Sequence, residues 1–170
     1  MKTTFIETDA GLFTAHFSPL GLAALEFPTP RKHAKPSLLT AANSTPRLRQ
    51  LHDETRTALR QALAGEPAAQ LPPIDLSAGS AFQRRVWDVI RTIPRGQTLT
   101  YTEVAAAIGR PKAVRAVGGA CGANPVPVLV PCHRVLAAHG GLGGFSGGLE
   151  RKRLLLAREG IAFPEGGPGA

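Results

Sequence analysis

The sequence predicts an α+β chain: a small N-terminal antiparallel sheet with one helix over residues 1–79, then a mainly helical domain with a helix-turn-helix and an active-site loop over residues 80–170. Three observations carry this prediction. Three short apolar segments separated by turn residues fill the first 30 positions. One amphipathic helical stripe follows them. Beyond residue 80, two Ser/Thr-x-x-Gln/Glu capping boxes open helices in close succession.

The apolar segments are Thr3–Thr8, Leu12–Phe17 and Leu22–Phe27, separated by Asp9-Ala10-Gly11 and Ser18-Pro19-Leu20-Gly21. Turn chemistry at both breaks makes an antiparallel meander the natural reading. Residues 31–44 are polar and read as an exposed loop. Leu48, Leu51, Thr55, Ala58, Leu59, Ala62 and Leu63 then recur at the spacing of one buried helical face, and Gly65 stops that helix. Residues 66–79, with Pro72-Pro73 and little charge, read as an extended linker.

Ser80-Ala81-Phe82-Gln83 is the first capping box; Phe82, Val86, Trp87 and Ile90 follow on one face until Pro94-Arg95-Gly96. Thr100-Tyr101-Thr102-Glu103 is the second box, opening a short helix that Gly109 terminates. After Arg110-Pro111-Lys112, residues 113–122 form another helix. Two short helices joined by a glycine-containing turn outline a helix-turn-helix. The second is unusually small-sided, through Ala113, Ala116, Gly118, Gly119, Ala120 and Gly122, with Arg115 its one long basic side chain. Each glycine costs about 1 kcal/mol of helix propensity relative to alanine. Either another helix packs closely there, or the helix enters a narrow groove. Residues 140–148 form a glycine-rich loop around Phe145-Ser146, without a phosphate-loop pattern, that can close over a bound group. A last helix, residues 149–159, ends at Gly160, and the final residues read as frayed.

The composition, 43% hydrophobic and 19% charged over 170 residues, fits a globular protein with a real core. The apolar stretches are too short to span a bilayer, and the N-terminus lacks the apolar core of a signal peptide. With two cysteines only, a cytoplasmic location is expected, with neither disulfide framework nor metal site. Residues 1–80 carry eight Lys/Arg and seven Asp/Glu, whereas residues 81–170 carry twelve and five. The excess positive charge therefore sits in the second half, which suggests a polyanionic partner, nucleic acid first.

That half also holds Pro131-Cys132-His133-Arg134-Val135, after the proline-punctuated run that starts at Asn124. A thiol beside a histidine and an arginine is a candidate nucleophile. Were this segment a strand, His133 and Cys132 would point apart, so the histidine needs a turn or a bridging water to take the thiol proton. Glu159 is the candidate to orient His133. Cys121, with no acid–base neighbour in sequence, reads as structural.

With these residues in view, the chain resembles the O6-alkylguanine-DNA alkyltransferases. The resemblance rests on Arg115-Ala116-Val117-Gly118-Gly119-Ala120, Asn124-Pro125, Pro131-Cys132-His133-Arg134-Val135, Ser146-Gly147-Gly148 and Glu159-Gly160, in the family's order over about residues 80–160. Residues 1–79 match only in outline, for which it implies a ribonuclease-H-like arrangement. It further implies a helix-turn-helix that uses the minor groove of double-stranded DNA through Ala116, Gly118 and Gly119, and a target base flipped into a pocket. Arg115 would fill the vacated stack. Tyr101 would move the flanking phosphate and donate to the guanine, with Phe145 and Ser146 against the base. The Cys132 and Val135 carbonyls would accept from its exocyclic amine, while Asn124 braces the turn carrying Cys132. Glu159, His133 and a water would generate the thiolate. The alkyl group would pass once from O6-alkylguanine to Cys132, consuming a protein that needs no cofactor and acts as a monomer. Cooperativity on DNA and activity on O4-alkylthymine are left open. A lesion-sensing DNA-binding protein with an inert cysteine and a cysteine hydrolase are the alternatives.

Overall fold

Alternation of inward and outward side chains builds the first sheet of this computed structural model, which describes residues 1–29 and 44–163. Strand β1 (Lys2–Thr8) turns Thr4, Ile6 and Thr8 inward, β2 (Gly11–Ser18) buries Phe13, Ala15 and Phe17, and β3 (Gly21–Glu26) buries Leu22 and Leu25. They pair antiparallel in the order β1-β2-β3. Helix α1 (Pro46–Ala64) has Thr45 as N-cap, its side chain accepting from the Leu48 amide, and the left-handed Gly65 as C-cap. Leu48, Leu51, Thr55, Ala58, Leu59 and Leu63 are its buried face. These elements belong to the first of two compact units, Met1–Leu76. Residues 30–43, which include nearly all of the expected exposed loop, lie outside the described residues.

The stretch expected to be a plain linker is pinned at its centre. The Leu22 amide donates to Pro73 O and the Asp75 amide to Leu22 O, both at 2.8 Å, and the Ser18 hydroxyl donates to the Asp75 carboxylate. A sheet edge presents unpaired backbone groups, and a proline-held extended chain is suited to meet them. Gly21 is required there, because a Cβ at this position would collide with Pro73 O.

The second unit is Ser77–Ala170. Both capping boxes form: Ser80 and Gln83 open α2 (Ala81–Arg91), and Thr100 and Glu103 open α3 (Tyr101–Ala107). Gly109, at φ +72°, ends the turn of α3 that leads to α4 (Val114–Gly122). Val86, Trp87, Ile90, Val104, Ala105, Val117 and Ala120 are buried where these three helices pack. The buried Trp87 Nε1–H donates to Ala120 O at 2.8 Å, which ties α2 to α4. A two-residue parallel pair, β4 (Leu99–Thr100) with β5 (Val135–Leu136), was not anticipated. It anchors the start of α3 beside the cysteine segment. Helix α5 (Leu149–Arg158) seats Leu156 against Leu136 and Leu142. The terminal residues expected to fray, 164–170, lie outside the described residues. No helix of the described residues is long and apolar enough to cross a membrane.

Candidate active site

The site is assembled from the turn that follows α4. Asn124 holds this turn by three bonds: its Oδ1 accepts from the Val126 amide at 3.0 Å, and its Nδ2 donates to Val130 O at 2.8 Å and to Cys132 Sγ at 3.0 Å. Val128 lies within it at φ +75°, the one non-glycine positive φ among the described residues. A β-branched residue in that region costs about 1–2 kcal/mol, which the Asn124 bonds and the burial of Val126, Val128 and Val130 offset. The chain then winds into a 3₁₀ turn, Cys132–Arg134, rather than a strand. The turn rotates Cys132 and His133 out of the opposed arrangement that extended backbone would impose.

Behind the cysteine lies a buried ionic network. His133 Nε2 meets Glu159 Oε1 at 2.9 Å. Arg134 grips the same carboxylate with Nε on Oε2 at 3.0 Å and Nη2 on Oε1 at 2.9 Å, and its Nη1 donates to Ile93 O at 2.7 Å. Burial alone would raise the Glu159 carboxyl, but the His133 and Arg134 hydrogen bonds and charges hold it down at about 2. It is therefore a carboxylate at neutral pH. Burial lowers the His133 pKa below its usual value, against the opposing pull of Glu159, so the ring is neutral. A neutral ring facing a carboxylate through Nε2 carries its proton there. Nδ1 is then left with a lone pair, and this atom is buried with no hydrogen-bond partner. The network thus leaves one basic nitrogen without a partner, on the residue that follows the thiol in the chain. Burial pushes the Cys132 thiol up, opposed by the Asn124 hydrogen bond and the Lys152 charge, so the thiol needs such a base.

Lys152 is the buried charge near the site that sequence reasoning missed. Its side chain is fully buried, and its Nζ donates to Val135 O at 2.6 Å, to Leu142 O and, more weakly, to Gly144 O at 3.4 Å. The glycine-rich loop is thereby tied down rather than free. Within Glu150-Arg151-Lys152-Arg153 the residue looks like part of a solvated charged face. Its spacing of three and four from Leu155 and Leu156, which places it in the apolar stripe, is the signal that could have found it.

A cavity of about 410 Å³ opens over Cys132, lined also by Tyr101, Val114, Arg115, Gly118, Cys121, Gly122, Gly144, Phe145 and Ser146. Tyr101, Arg115, Gly118, Cys132, Phe145 and Ser146 were expected at one site, and the fold brings them together. Cys121, read from sequence as structural, is buried and also lines this cavity. Phe145 sets its ring edge-on to His133, with centroids 6.3 Å apart. The Tyr101 hydroxyl points at Gly144 O, 3.5 Å away, and burial raises its pKa. Val135 is buried, and its carbonyl already accepts from Lys152, while the Cys132 carbonyl accepts from the Val135 amide. Each carbonyl keeps one lone pair for another donor.

Ala116 and Gly119 do not line the cavity; they are exposed on the outer face of α4. A Cβ placed on Gly119 or Gly122 meets nothing within 4 Å among the described residues, and one on Gly118 makes only an ordinary 4.0 Å contact with the Tyr101 ring. Close packing of another helix therefore accounts for Ala120, which is buried against α2, but not for Gly118, Gly119 and Gly122. The outer face of α4, with Ala116, Gly119 and Gly122, is exposed among the described residues.

Fold and site together define a helix-turn-helix protein with a buried thiol in a cavity that its second helix also lines. Residues 81–161 match the family described as 6-O-methylguanine DNA methyltransferase, DNA binding domain. The methylated-DNA–protein-cysteine methyltransferase of Mycolicibacterium paratuberculosis is 53% identical over 95 residues, covering 54% of this chain and 58% of that protein. The Salmonella typhimurium protein of the same name is 48% identical over 106 residues, covering 60% and 62%. The chain thus spans about three-fifths of the length of these two relatives. Among solved structures, Mycobacterium tuberculosis OGT in complex with DNA superimposes with a TM-score of 0.75 at 37% identity, over 92% of this chain and 91% of that one. The chain belongs to the O6-alkylguanine-DNA alkyltransferase family, the methylated-DNA–protein-cysteine methyltransferases.

Proposed function

We propose that this protein repairs O6-alkylguanine in double-stranded DNA by a single, irreversible transfer of the alkyl group to Cys132. The observation that carries this reading is a cavity-lining thiol followed directly in the chain by a neutral His133 whose Nε2 is held by Glu159. The outer face of α4 enters the minor groove, where its missing side chains let the backbone approach. Arg115, exposed at the start of α4, fills the gap left by the flipped base, and the base enters the cavity. Tyr101 turns the flanking phosphate and donates to the guanine; Phe145 packs on the base, and the Ser146 amide or hydroxyl approaches O6. The Cys132 and Val135 carbonyls accept from the exocyclic amine with their remaining lone pairs.

His133 Nδ1 takes the Cys132 proton through a water, and Glu159 stabilises the imidazolium so formed. The thiolate attacks the alkyl carbon in line. The C–O6 bond breaks as the C–S bond forms, and the departing guanine takes up a proton or a hydrogen bond. The product is a thioether that water does not readily cleave, so each molecule acts once, as a monomer and without a cofactor. Two free cysteines suit a reducing, cytoplasmic setting.

Incubation with a duplex carrying O6-methylguanine, followed by peptide mass mapping, tests this. A methyl group on the Cys132 peptide is expected, and Cys132→Ala is expected to lose transfer while retaining DNA binding. Tight lesion binding with an unmodified Cys132 would mean that the protein senses damage rather than reversing it.

A further inference from the structure

The cavity holds a second thiol for which the transfer reaction has no use. Cys121 and Cys132 are the only cysteines of the chain, both are free, and both line the same cavity. One asparagine reaches both residues: the Asn124 amide donates to Cys121 O at 3.3 Å, and the Asn124 side chain donates to Cys132 Sγ at 3.0 Å. On the cavity-facing stripe of α4, Cys121 is flanked by Gly118 and Gly122, which carry no side chain to screen it. A purely structural small residue would be equally well served by alanine, as at the neighbouring Ala120.

We propose that Cys121 is a resolving thiol, which captures oxidised Cys132 as a reversible disulfide and so spares the acceptor from irreversible oxidation. This rests on the reading of Cys132 as the reactive thiolate served by His133. Hydrogen peroxide, small enough to enter the cavity, is the oxidant. The Cys132 thiolate attacks one peroxide oxygen, the O–O bond breaks, and sulfenic acid and hydroxide form. The Cys121 sulfur then attacks the sulfenic sulfur; its proton and the departing hydroxyl leave as water, and one S–S bond remains. A dithiol reductant returns both thiols at the expense of its own oxidation.

The electrostatics set the order of events. Burial and the neighbouring Cys132 charge push the Cys121 thiol up to about 12, so Cys121 does not compete for alkyl groups. Conversion of the Cys132 thiolate to a neutral sulfenic acid removes the second cause, while the Lys152 charge continues to favour a Cys121 thiolate. Cys121 is thus quiet until its neighbour is oxidised.

The test uses the full chain without DNA, so that it is independent of alkyl transfer. The protein is treated with a few equivalents of hydrogen peroxide, unreacted thiols are blocked, and non-reduced peptides are mapped by mass. A peptide holding both cysteines, with Cys121 and Cys132 joined internally, 2 Da lighter than its dithiol form and restored by dithiothreitol, is expected. In Cys121→Ser and Cys121→Ala, with folding checked by thermal melting, Cys132 is expected to proceed to sulfinic acid that dithiothreitol does not reverse. Sulfinic acid at Cys132 in the unaltered protein with Cys121 still free would overturn the proposal, as would equal recovery of the Cys132 thiol with and without Cys121. A linked pair in a protein that fails to take methyl from DNA would instead count against the transfer reading alone.

Discussion

Gly143 shows how a single hydrogen atom can shape the site. It lies at φ +65°, and a Cβ there would stand 2.7 Å from the Tyr101 Oη and 2.8 Å from its Cε2. Gly143→Ala therefore has to move the tyrosine ring, besides the cost of about 1–2 kcal/mol for alanine in that backbone region. Cys132, His133 and Glu159 are untouched by the change. Alkyl transfer from DNA is expected to slow by on the order of 10²-fold, the effect of a misplaced positioning group, while labelling of Cys132 by iodoacetamide stays near its original rate. Equal loss in both assays would show that Tyr101 is not what the glycine protects. Glu159 offers a second residue-scale prediction, with a pH signature. Its folded pKa of about 2 lies below the ordinary carboxylate value, so its ion pairs stabilise the fold fully above roughly pH 4.3. That contribution is lost as pH falls through the interval between the two values. Glu159→Gln is expected to flatten this acid dependence in a thermal melt series. It also leaves the Arg134 guanidinium and the His133 tautomer without their partner, so the single-turnover transfer rate is expected to fall about 10²-fold or more.

The elements whose ends carry their own chemistry were legible in the sequence, and those made by distant pairing were not. Ser80–Gln83 and Thr100–Glu103 satisfy local amides, so α2 and α3 could be read from a few residues each. The two-residue pair β4–β5 joins positions some 36 apart and has too few residues to show a period. The cysteine, its histidine and Glu159 were visible as chemistry. Lys152 was hidden, because charge reads as exposure unless its place in the apolar stripe is weighed. Helix α4 presents the reverse case: its pattern was plain but its reason was open until the surroundings were known. Open space around Gly119 means that Gly119→Ala is free to gain helix propensity, and a stabilisation of about 1 kcal/mol in denaturant unfolding is expected. Binding to undamaged duplex is expected to weaken in the same variant, because the added methyl projects from the exposed face. A variant that is more stable and binds DNA as well as before would refute α4 as the groove-facing element.

Across the whole molecule, charge divides as sharply as chemistry does. The twelve Lys/Arg against five Asp/Glu of residues 81–170 contrast with the near-balance of residues 1–80. Exposed Arg110 and Lys112 in the turn before α4, with Arg115 at its start, stand beside the face argued to meet DNA. Each phosphate neutralised on binding releases condensed counterions, so the logarithm of the affinity falls with the logarithm of the salt concentration by about 0.9 per contact on duplex DNA. If the second half supplies those contacts, the slope belongs to its cations alone. Arg110→Gln and Lys112→Gln are each expected to reduce the slope by about one contact and to weaken damaged and undamaged duplex alike, since phosphate contacts carry no base information. Arg60→Gln, on α1, is expected to leave the slope unchanged, although it removes the same unit of charge from the chain. Arg115→Ala should behave differently from all three. It is expected to reduce affinity for the O6-methylguanine duplex, and the fluorescence of a flipped base analogue, more than affinity for undamaged DNA. A uniform loss would reduce Arg115 to one more phosphate contact, and an equal drop in slope from Arg60→Gln would mean that net charge, rather than the placed cations of the second half, sets the affinity.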